Sequence, residues 1–228
     1  MASLTKNNSK MTEISEFVAL TESKIRKDFE NEGTGHDWWH IDRVRNIAVT
    51  IAKAENANIR EAELGALLHD IADHKAHNNN LKAGPQATEI WLESIAAPED
   101  LIKRMSALVS EISFKGAKVD TPVSSLETAC VQDADRLDAI GALGIARAFS
   151  FGGAHSRLLH HPDFKPTQHE SFSAYATDKG PTIAHFYEKL LLLKDRMQTK
   201  TGQRMAEQRH QFMEAYLEQF FAEWDGLR

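Results

Sequence analysis

A chain of 228 residues with 42% hydrophobic content can bury one sizeable core, so a single domain is expected. Its 33 acidic against 27 basic residues give a formal charge of -6, which excludes the broad positive field that extended nucleic acid or an anionic membrane requires; a bound phosphate must be met by local cations. The one cysteine, Cys130, rules out an intramolecular disulfide and fits a reducing compartment, and its neighbours Ala129 and Val131 suggest a buried thiol.

The opening "MASLTKNNSKMTEISEF" lacks the apolar run of a secretory signal, and no apolar stretch approaches the ~20 residues needed to cross a bilayer. A soluble cytoplasmic protein, monomer or homodimer, is expected. Residues 1–10 read as a flexible tail.

Apolar positions recur at helical spacing almost throughout, and alternating or β-branched runs are nearly absent, so the pattern is all-α. A first helix is predicted over about 11–32, with Ile14, Phe17, Val18, Ile25 and Phe29 inward and Gly33 and Gly35 ending it. A second covers about 36–55, with Trp39, Val44, Ile47, Ala48 and Ile51 as its stripe. A third, about 59–73, carries Ala62, Ala66, Leu67 and the pair His69-Asp70. Helices at about 85–96 and 98–114 are separated by Pro98, a natural first-turn residue. Ser124 with Glu127 offers a capping box that opens one long helix through about Phe149, whose small residues, among them Ala139, Gly141 and Gly144, imply close packing. Residues 150–180, rich in Gly, Pro, Ser and His, read as a long mobile loop. Pro181 starts a helix over about 182–198 with Tyr187 and "LLLL" inward, and an amphipathic helix from about 200 to 225 bears Met205, Phe212, Met213, Tyr216, Leu217, Phe220 and Trp224.

The chemistry centres on "LLHD". His69 and Asp70 offer two adjacent metal-binding side chains, with His40 upstream in "HDWWHIDRV" and Asp135 downstream in "VQDADRLDAIGALGIARAF". Two imidazoles and two carboxylates make a mixed nitrogen and oxygen donor set that suits one divalent ion such as Mn, Co, Ni, Fe or Zn, and less comfortably Mg. Neighbouring residues of a regular helix point about 100° apart, so both members of a His-Asp pair can face one ion only where the helix ends or is distorted. A histidine on an apolar face is more often a hydrogen-bonded core residue, and it is the three ordered segments together that favour a ligand set.

These three segments resemble the HD superfamily of metal-dependent phosphohydrolases, in its small bacterial-type branch; the match is strong over about 36–150 and weaker through the C-terminal "HFYEKLLLLKDRMQTKTGQRMAEQRHQFMEAYLEQFFAEW". The resemblance implies a single HD-domain helical bundle over 11–228, with a metal-binding core over about 36–150 and C-terminal helices over about 182–225 packed on it. It assigns His40, His69, Asp70 and Asp135 as metal ligands. It also assigns Asp73, three residues after Asp70, as a general acid/base, where the plain alternative is a capping or solvent-facing carboxylate. Some HD enzymes hold two metals, using further histidines between the doublet and the last aspartate; none lies between Asn78 and Ala154, which favours one ion and argues against the family's di-iron oxygenases.

Asp133 and Asp138 flank Asp135. Asp138 shares its helix face while Asp133 points elsewhere; either is a candidate for orienting a histidine from behind the ligand shell, and Asp133 is also the alternative to Asp135 as ligand. Substrate-binding candidates are His36, Lys75, Lys115, Arg136, Lys189, Arg204 and Arg209, with Arg136 and His36 equally able to serve as an ion-pair partner and a helix cap. Arg43 reads as structural. The Trp38-Trp39 pair reads either as core packing, expected of at least one ring, or as a ring that stacks on a base. His74 and His77 are as readily exposed loop residues as site residues, and His155, His160, His161 and His169 suggest a lid, a partner surface or a loop.

The resemblance implies hydrolysis of a nucleotide or similar small phosphate ester, with a (deoxy)nucleoside triphosphate cleaved to monophosphate and pyrophosphate as the specific expectation. Cyclic-nucleotide phosphodiesterase, nucleoside monophosphate phosphatase and a metal-holding regulatory module without turnover are the alternatives.

Overall fold

The computed structural model describes residues 2–30, 37–72, 80–167 and 180–228, with side chains from Ile14 onward. Among the described residues regular structure is entirely helical: α1 (Ala2–Asp28), α2 (Trp38–Glu55), α3 (Ile59–Leu68), α4 (Ala83–Ser94), α5 (Glu99–Ile112), α6 (Leu126–Asp138), α7 (Gly141–Ala154), α8 (Thr182–Glu188) and α9 (Lys200–Trp224), with short 3₁₀ turns at Leu190–Leu192 and Lys194–Arg196. No helix among the described residues is long and apolar enough to cross a membrane. Residue contacts group the chain into two compact units, one of residues 1–113 and 121–134, the other of 114–120 and 135–228; the division falls inside α6, which runs through it unbroken.

In the first unit, α3 is the central element. All of Ala62, Leu64, Ala66, Leu67 and Leu68 are fully buried, and Gly65 lies so close to α5 that an added Cβ would stand 2.7 Å from a Leu108 methyl. Buried Glu63 ties three helices: it accepts from Arg45 of α2 at 2.7 and 2.9 Å and from Arg60 at 2.6 Å, while Arg45 also reaches Glu22 of α1 at 3.0 Å. Arg104 of α5 bonds Glu61 of α3 and Asp100, and Trp91 of α4 donates to Thr21 of α1 at 2.9 Å. The helix ends carry side-chain caps: Asp37 accepts from His40 N–H at the start of α2, and Asn58 accepts from Arg60 and Glu61 N–H at the start of α3. Cys130 is fully buried on α6, and burial beside Asp133, Glu127 and Glu55 pushes its thiol pKa up to about 12.

Several expectations need correcting. α1 begins at Ala2 and ends at Asp28, earlier at both ends than the predicted helix; Gly33 and Gly35 lie outside the described residues. The inward residue of the tryptophan pair is Trp38, at 5% exposure, because Asp37 starts the helix and sets its phase; Trp39, expected in the stripe, points out at 59%. Pro98 occupies the cap position ahead of α5 rather than its first turn. The cap of α6 is Ser125, whose Oγ accepts from Thr128 N–H at 3.0 Å, while Ser124 N–H donates to Glu111 and Glu127 accepts from Asn58 N–H; the expected pairing of Ser124 with Glu127 is therefore absent.

In the second unit the predicted long helix is two. The chain turns at Ala139–Ile140, Gly141 takes φ +75, and Gly144 faces the Ala139 carbonyl so closely that an added Cβ would lie 2.2 Å from its oxygen. The small residues there make room for a turn, where the sequence suggested helix packing alone. The predicted 182–198 helix likewise stops at Glu188, and two 3₁₀ turns follow. Three residues per turn place Leu190, Leu193 and Arg196 on one face, with both leucines buried, while Tyr187, expected inward, is 39% exposed beside fully buried Phe186.

α9 faces inward through Ala206, His210, Met213 and Leu217, leaving Phe212 and Trp224 exposed. Part of the expected 150–180 loop is regular: α7 extends to Ala154, and Thr182 and Ile183 N–H donate to the carbonyls of Leu158 and Leu159.

Candidate metal centre

His40 is the third residue of α2, and its N–H donates to Asp37 Oδ1 at 2.8 Å, so the cap that starts the helix also fixes where this imidazole begins. α3 stops at Leu68, with His69 as its C-cap in right-handed helical backbone (φ -57, ψ -32) and Asp70 in the following turn, so the consecutive pair sits at the helix end. His69 Nδ1 lies 2.7 Å from the Ala66 carbonyl. A carbonyl can only accept, so Nδ1 carries the proton and the lone pair sits on Nε2.

That nitrogen is 3.2 Å from His40 Nε2, and Asp70 Oδ2 lies 3.4 Å from His40 Nε2 and 3.5 Å from His69 Nε2. The three atoms form a nearly regular triangle whose centre is about 2 Å from each corner, the length of a bond from an imidazole or carboxylate to a first-row divalent ion. The two histidines are buried, and Asp70 is partly open to solvent.

α6 carries Asp135 directly after Ala134 without a break, and His40, His69 and Asp135 each offer one ligand atom within 4.8 Å of the others. The histidine pair is thus shared by two overlapping groups, one completed by Asp70 and one by Asp135. Beside His69 and Asp70 is a cavity of about 20 Å³, bordered also by Ala72, Gly84, Val109 and Ser113, with room for about one water. The donors fit a divalent ion: two neutral nitrogens, carboxylate oxygens, and partial burial that excludes competing bulk water.

The other sequence candidates are distributed as follows. Asp133 is fully buried, and so is Asp138, whose Oδ2 pairs with Arg147 at 2.9 Å in the second unit. Arg136 is buried and donates to the Arg196 carbonyl; Arg209 donates to the Leu137 carbonyl, and its burial lowers its pKa, only partly offset by Asp138. Lys189 lies 5.1 Å from the Phe114 ring, Lys115 is partly exposed and Arg204 exposed. His155 stacks on Phe151, His160 sits among Phe220, Phe221 and Trp224, and His161 accepts from Asp163 N–H. Asp73, His36, Lys75, His74, His77 and His169 lie outside the described residues. Sequence reading passed over Asp37 as the cap placing His40, although Asp before an apolar helical run is a start signal, and Arg196, which no motif marks.

The family profile of the HD domain matches residues 38–140, the stretch that holds all four candidate ligands. The uncharacterized protein YpgQ of Bacillus subtilis (strain 168) is 36% identical over 204 residues, covering 89% of this chain and 91% of its own. The chain belongs to the HD superfamily of hydrolases. Among solved structures, an HD-superfamily hydrolase from Bacillus thuringiensis is 37% identical with a TM-score of 0.71, covering 93% of this chain and 98% of its own. YpgQ crystallised in complex with ADP is 35% identical with a TM-score of 0.69, covering 91% of this chain and 100% of its own.

Proposed function

We propose that this HD-domain protein is a divalent-metal-dependent phosphohydrolase of nucleotides, and specifically a (deoxy)nucleoside triphosphate pyrophosphohydrolase. The observation that carries the reading is the triangle of His40, His69 and Asp70 at 3.2–3.5 Å, which fits one cation. His40, His69, Asp70 and Asp135 would hold the ion. When bound, it supplies positive charge against phosphoryl oxygens and makes a neighbouring water more acidic.

The chain's own groups do the rest. The Ala66 carbonyl holds His69 in the tautomer that presents Nε2, and Asp37, through its bond to the His40 amide, fixes the base of the other imidazole. The cavity beside the doublet accepts a water, and Asp73 is assigned to take the proton that this water loses as its oxygen bonds to the α-phosphorus. The bond from that phosphorus to the bridging oxygen breaks, and pyrophosphate leaves. That a relative of this chain was crystallised with ADP supports a nucleotide as the ligand.

The test is a panel of nucleoside tri-, di-, mono- and cyclic monophosphates with Mn, Co or Ni. Pyrophosphate with monophosphate is expected from triphosphates; free phosphate from monophosphates, or ring opening, supports the alternative esterases. No release from protein that demonstrably contains metal defeats the reading. Asp73→Ala is expected to abolish turnover while metal content stays near that of the parent protein.

A further inference from the structure

The cavity of about 20 Å³ beside His69 and Asp70 is walled entirely by the first unit: by the turn after α3, by Gly84 at the start of α4, and by Val109, Ser110 and Ser113 at the end of α5. Four polar side chains border it, and three are occupied. His69 and Asp70 belong to the ligand triangle, and Ser110 donates to the Ala107 carbonyl at 2.7 Å. Ser106, one turn earlier in α5, is likewise tied, to Glu89 at 2.7 Å. Ser113 differs. It follows the last residue of α5 in extended backbone (φ -60, ψ 136), is only partly buried, and its hydroxyl has no hydrogen-bond partner among the described residues.

Gly84 keeps this cavity open. It is buried, and a Cβ there would stand 3.0 Å from Val109 Cγ1 and 3.6 Å from the Ala72 carbonyl oxygen, with both neighbours on the cavity wall. The space admits about one water. A serine hydroxyl accepts as well as donates, so Ser113 can take one hydrogen of that water and leave an oxygen lone pair to react.

We propose that Ser113 positions the water consumed in hydrolysis, its Oγ accepting a hydrogen bond from the water inside this cavity. The water oxygen bonds to the α-phosphorus, one of its protons passes to Asp73, and the bond to the bridging oxygen breaks. The other hydrogen stays on the product oxygen, still bonded to Ser113. The inference rests on the nucleotide-phosphohydrolase reading above.

Steady-state kinetics on the manganese-loaded protein test it. Ser113→Ala is expected to lower kcat about tenfold to a hundredfold, with KM for a nucleoside triphosphate changed less than about twofold and metal content unchanged, because only the water loses a partner. Ser113→Thr keeps a hydroxyl and should recover kcat to within about threefold of the parent protein. Gly84→Ala leaves the hydroxyl in place but narrows the cavity, and should lower kcat in the same way. An unchanged kcat in Ser113→Ala, equal losses in the Ala and Thr variants, a change confined to KM, or a fully active Gly84→Ala protein would overturn the proposal. If Ser113→Ala does not fold, Ser113→Cys, which keeps the volume but accepts weakly, takes its place under the same criterion; Val109→Leu likewise replaces Gly84→Ala. If the parent protein hydrolyses no nucleotide, the functional reading fails separately. Crystals of the manganese-loaded protein then decide the water site: a water within about 3.2 Å of Ser113 Oγ that is missing from Ser113→Ala sustains it, and no water there defeats it.

Discussion

The two units satisfy their guanidinium groups differently. In the first, arginines meet carboxylates: Arg45 and Arg60 on Glu63, and Arg104 on Glu61 and Asp100. In the second, Arg136, Arg196 and Arg209 donate to backbone carbonyls, while Arg147 meets Asp138 and Arg228 meets Glu218 as in the first pattern. A carboxylate offsets the charge it binds, whereas a carbonyl mainly orients it. The first arrangement braces helices. The second ties guanidinium groups to the backbone of turns and helix ends.

The largest expected effect breaks the first unit's special pair. Asp70→Ala removes one corner of the histidine-carboxylate triangle, and a loss of nucleotide hydrolysis of about 10³-fold or more is expected, together with loss of bound metal by elemental analysis. Chelation of the parent protein should lower its Tm, and restoring metal at about 100 times its Kd should return roughly 2.7 kcal/mol.

Gly144→Ala tests the turn that divides the predicted long helix. Its methyl would meet a backbone oxygen, which cannot move as a side-chain tip can, and a cost of about 3 kcal/mol in urea unfolding is expected.

Glu63→Gln sharpens the charge comparison. Burial alone would push the Glu63 carboxyl up, but hydrogen bonds from Arg45 and Arg60 more than offset this and hold its pKa below the ordinary 4.5. A carboxylate with a depressed folded-state pKa stabilises fully above its unfolded value and loses that contribution as pH falls through the folded one. The substitution should therefore cost about 2 kcal/mol at pH 7, and the difference from the parent protein should shrink below about pH 4.5. A cost independent of pH between 3 and 7 would show that the pair braces by shape and not by charge. The smallest effect is Ser125→Ala, expected to cost about 1 kcal/mol by removing the α6 cap, as read from thermal unfolding.

Much of this was legible in the residues. Helical periodicity gives the all-α class and most helix spans, and the requirement that a consecutive His-Asp pair sit at a helix end is met where α3 stops at Leu68. The candidate ligands singled out by the ordered motifs lie together: His40 and His69 cluster with Asp70 and with Asp135 in a group that could hold a metal. What was not legible depends on three-dimensional partners. The face of Trp38-Trp39 turns on which residue caps α2, the break at Gly141 on whether small residues serve a turn or a packing surface, and the 3₁₀ turns after Glu188 on a leucine run that carries no periodicity of its own. Arg196 left no trace in the sequence because its partners are carbonyl groups, which every residue has.

Cys130 offers a clock for the first unit. Sealed from solvent and held as a neutral thiol, it can be reached by an alkylating reagent only when the surrounding helices part, so the labelling rate reports how often they do. Being the chain's sole sulfhydryl, it gives one signal with no competing background, and any ligand that binds only while those helices stay packed should slow it by the same factor as it suppresses their openings.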